Sequence, residues 1–248
     1  VSWSKRYITL APKATVIALA FHLFDPDKLL QGEVDRGITL ALVPSTHAGV
    51  NIGRRHLPSG VAFPNGPTWG DKVFIPLSWV IGGESGVGKG WLMIMQCLAA
   101  GRGVSLPSMS TAGTKLMLRV STAYARVRRQ FNKPIGKIEG VEEPLARIAE
   151  AAYVSESGRA VTAAMVTREN RPLVLSSILK YQLTEYSRRA VNDAMDIHGG
   201  KAVIDGPSNY LQSTYQIIPV AITVEGANII TRSLIVIGQA VLRSHPYF

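Results

Sequence analysis

A single cysteine, Cys97, stands in 248 residues, so no disulfide can form within the chain, and a reducing compartment suits it best. Acidic residues are also scarce: 17 Asp and Glu face 27 Lys and Arg, a formal net charge of +10. That balance favours anionic partners, whether phosphate-bearing cofactors, nucleic acid or an acidic membrane surface. Long apolar runs are missing too. Thr15–Phe21 and Ser233–Ile237 fall short of the ~20 residues that a membrane-spanning helix needs. No basic segment with a following apolar core and cleavage site follows Val1, so no secretory signal is expected. A cytoplasmic setting follows, with the inner-membrane surface as a further place that the positive charge would suit. The densest basic cluster (Arg119, Arg126, Arg128, Arg129, Lys133) comes with no zinc-finger spacing or RNA-binding aromatic signature. It reads equally as a solvated helix face, and nucleic acid is not expected as a partner.

What is present is globular, with 46% hydrophobic and 18% charged residues. The chain has two grammars. Up to about residue 80 it carries short β-branched or aromatic runs, "YITLAP", "ATVIALAFHLF", "GITLALVP", "GVNIGRRHLP" and "DKVFIPLSWVI", parted by Pro, Gly and Asp. These predict an antiparallel sheet or barrel. From Gly86 onward apolar residues recur at helical spacing: Met117, Val120, Tyr124, Val127; then Val141, Leu145, Ile148, Ala152; then Leu179, Leu183, Tyr186, Ala190, Ala194. Pro172 and Gly199-Gly200 bracket the third helix, and a last helix is expected from about Gly226 to Leu242. The expected fold class is α+β, a partial antiparallel β-domain over 1–82 followed by an antiparallel four-helix bundle over 83–248.

"GESGVGK" at Gly83–Lys89 matches seven positions of the phosphate-binding loop, but Gly90 stands where that loop needs a hydroxyl for magnesium. Helices alone follow it, where such a fold alternates strands and helices. A glycine-rich turn opening a helix, with Trp91, Met95 and Leu98 as its buried stripe, is the better account. A nucleoside triphosphatase remains the weaker alternative.

In "PVAITVEGANII" the only charge is Glu225, among apolar neighbours Val224, Ala227, Ile229 and Ile230. Such surroundings raise the pKa of a carboxyl. Two roles suit it: a helix-start carboxylate favoured by the dipole, or a general base.

Several ordered stretches resemble the flavin-dependent acyl-CoA dehydrogenases. "KRYITLAP" is similar to the family's K-x-W-I-T-N strand and "YARVRRQFNKPIG" to its Y-A-x-x-R-x-x-F-G-K-P-I helix end. "AMDIHGGKAV" followed by "TVEGANIITR" is similar to Q-x-x-G-G followed by Y-E-G-T-x-x-I-x-R. The connecting "DKVFIPLSWVIGGESGVGKGW" also resembles the family's crossing from β-domain to helices. The wording "IPVAITVEGANIITRSLIVIGQ" most resembles the large bacterial enzymes of fatty-acid β-oxidation. The resemblance implies an internal fragment, with the family's N-terminal helical domain and opening strands missing. It implies FAD as cofactor, a fatty acyl-CoA substrate, an electron-transferring flavoprotein as acceptor and a homodimer or higher assembly. Glu225 becomes the base that removes the α-proton, and Arg102 and Gly226 line the substrate channel. Some members carry their base just before that arginine, but Gly101 stands there. Thr9 and Tyr7 meet the flavin ring, Tyr7 replacing tryptophan. Arg128 grips the pyrophosphate across a dimer interface, accompanied by Gln130 and Phe131. His198, Gly199 and Gly200 form the turn beside the cofactor, with no metal role for His198. Asp196 replaces a glutamine and Ala227 a threonine, which weakens two FAD contacts. Those two departures keep a non-catalytic helical scaffold as a second reading.

Overall fold

The computed structural model describes residues 1–61, 63–167 and 173–238. It divides into two compact units, Val1–Met95 and Gln96–Phe248.

In the first unit, β1 (Trp3–Thr9), β5 (Asn65–Gly70) and β4 (Asn51–Ile52) form one antiparallel sheet in the order β1-β5-β4. β2 (Val16–Phe24) and β3 (Asp35–Pro44) pair separately, from Val16↔Pro44 to Phe24↔Asp35. Alternation turns Ile17 and Leu19 inward, where they meet Ala41 and Val43, with Trp3, Ile52 and Trp79 packed around them. Asp25 tightens the β2–β3 connection by accepting from the backbone N–H groups of Leu29 and Leu30 at 3.0 and 2.8 Å.

Two expectations fail here. "DKVFIPLSWVI" is no strand: Leu77–Trp79 forms a 3₁₀ turn after Pro76, and only Val80 bridges to Ala41. A real strand lies instead in "NGPTWG", whose glycines and proline read as a turn. Its glycines serve close packing, since a Cβ at Gly70 would lie 2.6 Å from the Trp3 ring.

The phosphate-loop look-alike is settled by its neighbours. Gly83–Gly86 is a 3₁₀ turn, and every strand pair among the described residues is antiparallel. α1 (Gly90–Val127) begins just beyond it. Met95 is buried there as expected, but Trp91 is exposed and Leu98 only half-buried.

The second unit is helical. α2 (Glu139–Thr167) and α3 (Leu173–His198) follow α1, joined to it by the two-residue strands β6 (Arg129–Gln130) and β7 (Lys133–Pro134). α4 (Gly200–Val203), α5 (Gln212–Thr223) and α6 (Asn228–Ile230) complete it, α6 continuing as a π-helix over Thr231–Gly238. The last helix thus starts two residues later than expected. Its predicted end at Leu242 and the predicted start of α3 at Pro172 lie outside the described residues. Pairings give the helix directions. Lys115 meets Glu156 while Gly103 approaches Thr162, so α1 and α2 run antiparallel. Arg147 pairs with Asp193 while Gly158 approaches Leu179 and Leu183, so α2 and α3 do too. α1 and α3 are therefore parallel.

The apolar stripes hold with one shift of phase. Met117, Ile148, Ala190 and Ala194 are core, whereas Val127 is exposed and Ala125 takes the inward place. Leu183, fully buried against Gly158, is a good probe of the helix contact. Leu183→Ala should cost about 2–5 kcal/mol in urea unfolding, while Val127→Ala should stay within about 0.5 kcal/mol. Equal effects would contradict this packing.

Candidate active site

The α1–α3 contact is made of small polar residues rather than the aliphatic side chains that flank it. Ser176, Ser177, Lys180, Thr184 and Ser187 recur at three- and four-residue steps along α3, and all are buried. Opposite them Gly103 and Gly113 let the backbones approach: a Cβ at Gly103 would be 3.4 Å from Ser176 Cβ, and one at Gly113 would be 3.2 Å from Ser187 Oγ.

Into this seam project two cations. Arg102 is only 2% exposed and its Nη1 donates to Ser177 Oγ at 3.1 Å. Its Nε has no hydrogen-bond partner among the described residues. Lys180 is fully buried, its Nζ donating to the Gly226 carbonyl at 2.7 Å and to Asn228 Oδ1 at 2.6 Å. Asn228 in turn donates to Thr184 Oγ1 at 2.9 Å and to Glu185 Oε1 at 3.0 Å.

Glu225 closes the cluster from the turn between α5 and α6. Glu225 has φ +52° and Gly226 φ +92°, two successive left-handed residues that reverse the chain. For a non-glycine residue that conformation costs roughly 1–2 kcal/mol, the kind of strain that gathers at functional sites. Gly226 has little room for a side chain: a Cβ would lie 3.2 Å from Thr231 Oγ1 and 3.5 Å from Arg102 Nη2. Glu225 Oε2 is buried without a partner among the described residues. Burial raises its pKa, and the charges of Arg102 and Lys180 partly oppose that rise. Burial also lowers Arg102, against the pull of Glu225. Lys180 falls to about 8, through burial first and Arg102 second, with Glu225 and Glu185 opposing.

Arg102, Glu225 and Gly226 are thus brought together, and Ala227 follows in the same turn. Arg102 is no surface arginine. Lys180 was not singled out from the sequence, although a lysine inside the Ser176–Ser187 polar stripe was the available signal.

A second group lies at the ends of α1 and α3. His198 stacks on Tyr124 with ring centroids 4.3 Å apart. Its Nδ1 lies 2.7 Å from the Ala194 carbonyl and its Nε2 2.9 Å from the Tyr210 hydroxyl, so a neutral ring donates to the first and accepts from the second. Burial lowers its pKa, consistent with that neutral state. The stack brings Arg128, four residues beyond Tyr124, to the same end of the bundle as the exposed Gly199-Gly200 turn. Gln130 and Phe131 belong to the β6–β7 hairpin, where Phe131 and Asn132 have φ +49° and +59° and Phe131 is 87% exposed. Asp196 is exposed on a cleft of about 450 Å³ that Asn192, Gln212 and Tyr215 also line.

In the first unit, β1 bulges between Lys5 and Ile8, and Tyr7 there has φ +60°. A bulge re-aims side chains. Tyr7 is 72% exposed with its ring 5.4 Å from that of His56, and Thr9 is exposed.

The sequence profile of the acyl-CoA dehydrogenase C-terminal domain matches residues 88–239. The chain belongs to the acyl-CoA dehydrogenase family. Among curated relatives, "Protein HemX" of Proteus mirabilis is 51% identical over 96 residues, 39% of this chain and 56% of that protein. The 3-(aryl)acrylate reductase of Clostridium sporogenes is 28% identical over 213 residues, 81% of this chain and 51% of that one. The chain thus spans about half the length of these relatives. The crystal structure of acyl-CoA dehydrogenase from Geobacillus kaustophilus superposes with a TM-score of 0.84 at 22% identity, covering 96% of this chain and 60% of that chain. At that identity the likeness shows the fold: mixed helix and strand, with antiparallel strands and a helical bundle.

The Glu225 environment predicts a pH-dependent stability. A carboxyl raised above 4.5 binds its proton more tightly folded than unfolded. Its contribution is therefore full below about pH 4.5 and is lost as pH rises through the folded value. Glu225→Gln, which cannot ionise, should gain stability relative to the parent between about pH 4 and pH 7 in urea unfolding. A Glu225→Gln stability that falls or stays level relative to the parent over that range would contradict the raised pKa.

Proposed function

We propose that this acyl-CoA dehydrogenase family chain carries the catalytic base for FAD-dependent α,β-dehydrogenation of fatty acyl-CoA thioesters in fatty-acid β-oxidation. The observation that carries the reading is Glu225, a half-buried carboxylate on a strained turn whose Oε2 has no partner among the described residues. The α-proton of a thioester is weakly acidic, so its removal needs a base of raised proton affinity held in place. Burial supplies the affinity, although Ile229 and Ile230, expected from the sequence as apolar cover, are themselves exposed, while Arg102 and Lys180 keep the ionised form accessible.

FAD, when bound, accepts the β-hydrogen as hydride. The residues present fit such a group unevenly. Arg128 is an exposed guanidinium with no carboxylate partner among the described residues, suited to a pyrophosphate. Gln130 and Phe131 extend beside it, Gly199 and Gly200 leave the backbone accessible, and Thr9 and Tyr7 present a hydroxyl and an aromatic ring on a bulged strand. Asp196 does not fit, since a carboxylate repels phosphate, and Ala227 has no hydroxyl to offer.

In the step itself, Glu225 takes the α-proton, the released electron pair becomes the new carbon–carbon double bond, and the β-hydrogen leaves with its own pair. The product is a trans-2-enoyl-CoA. Arg102 beside Gly226 lines the substrate side of the base. Electrons then pass to an electron-transferring flavoprotein, and the working form is a homodimer or higher assembly in the cytoplasm, suited by its charge to the inner-membrane surface. A non-catalytic scaffold would retain no reason to strain Glu225.

The test is stopped-flow bleaching of flavin by a saturated acyl-CoA in the flavin-loaded protein. Glu225→Gln should keep the flavin yet slow its reduction by about 10²–10⁴-fold. Reduction within about threefold of the parent would place the base elsewhere.

A further inference from the structure

Lys180 belongs to no role assigned so far. It lies fully buried on α3, yet among the described residues both hydrogen bonds of its ammonium cross to the segment that carries Glu225. One holds the carbonyl of Gly226, the residue immediately after the base. The other holds Asn228, the first residue of α6. Thr231 Oγ1 also donates to that Gly226 carbonyl, at 3.3 Å. The left-handed pair Glu225-Gly226 is therefore pinned at its C-terminal side by an ammonium, and its conformation depends on what holds it there.

We propose that Lys180 is a positioning residue for the base: it clamps the Glu225–Gly226 turn through the Gly226 carbonyl and Asn228, and its charge sets the proton affinity of the Glu225 carboxylate. The proposal rests on the reading of Glu225 as base. A clamp alone would need only a donor, which a neutral side chain could provide. A lysine adds a charge in a place where burial opposes it, and three ionisable groups share that place. Arg102 approaches from α1, Glu225 from the turn, and Glu185 from α3 through Asn228. Arg102 and Lys180 repel each other, and each is attracted to Glu225. The carboxylate thus sits where it relieves two like charges, and losing either cation makes its ionisation harder.

Linkage makes the coupling reciprocal, so it is readable from the lysine without turnover. With ¹⁵N-labelled lysine assigned through its own backbone, the Lys180 Nζ titration is followed in the protein and in Glu225→Gln. In the parent, burial first and Arg102 second hold Lys180 down to about 8. Glu225→Gln should lower that midpoint by at least about one pH unit, since removing a nearby opposite charge disfavours the ammonium. An unmoved midpoint overturns the proposal, and no Lys180 variant has to fold for this result. In the flavin-loaded protein, Lys180→Gln should move the acid limb of the flavin-reduction pH profile upward by a comparable amount. A folded variant whose acid limb stays in place also overturns it. The two readings fail separately: undiminished flavin reduction in Glu225→Gln removes the base assignment, whereas the titration alone decides the pairing.

Discussion

Two cations and one carboxylate share a seam between two parallel helices, and the surrounding structure is arranged to bear that cost. Moving charges out of water is expensive, and a buried pair repays it only when the remaining donors and acceptors are met. Here they are met unequally. Among the described residues, Lys180 has two short bonds and Arg102 one to Ser177, while Arg102 Nε and Glu225 Oε2 find no partner. A stability-driven seam would leave neither open.

The seam explains the sequence of the helices around it. Gly103 and Gly113 keep the contact close, since a Cβ would lie 3.1 Å from Thr162 Cγ2 and 3.4 Å from Ser176 Cβ at the first and 3.2 Å from Ser187 Oγ at the second. The serines and threonine of α3 are polar because they line charges rather than aliphatic core. The apolar core is displaced toward the other end, where Met117, Ile148, Ala190 and Ala194 pack and the Tyr124–His198 stack closes the bundle. One end of the unit buries charge, and the other buries apolar side chains.

Much of this was legible before any coordinates. The change from period two to helical spacing near Gly86 marked the two architectures, and the isolation of Glu225 singled out the carboxylate on which the proposal rests. The motifs around Tyr124–Gly136 and Ala194–Val203 pointed to the family. What was not legible has physical causes. "NGPTWG" reads as a turn because its glycines make room for neighbours, Gly66 for Pro12 and Gly70 for the Trp3 ring, which only the fold reveals. "DKVFIPLSWVI" has strand composition but is interrupted by Pro76. Val127 fits a helical stripe on paper, yet the helix ends there and the residue points to solvent. Lys180 and the burial of Arg102 were hidden because a charged residue in sequence is read as surface until a partner 40 or more positions away is known to reach it.

The central claim is that Glu225 exchanges a proton with the α-carbon of a bound thioester. The most direct measurement is loss of deuterium to solvent from an α-deuterated acyl-CoA incubated with the flavin-loaded protein without an electron acceptor. The account predicts washout with the parent and little or none with Glu225→Gln. Equal washout from both proteins would contradict it.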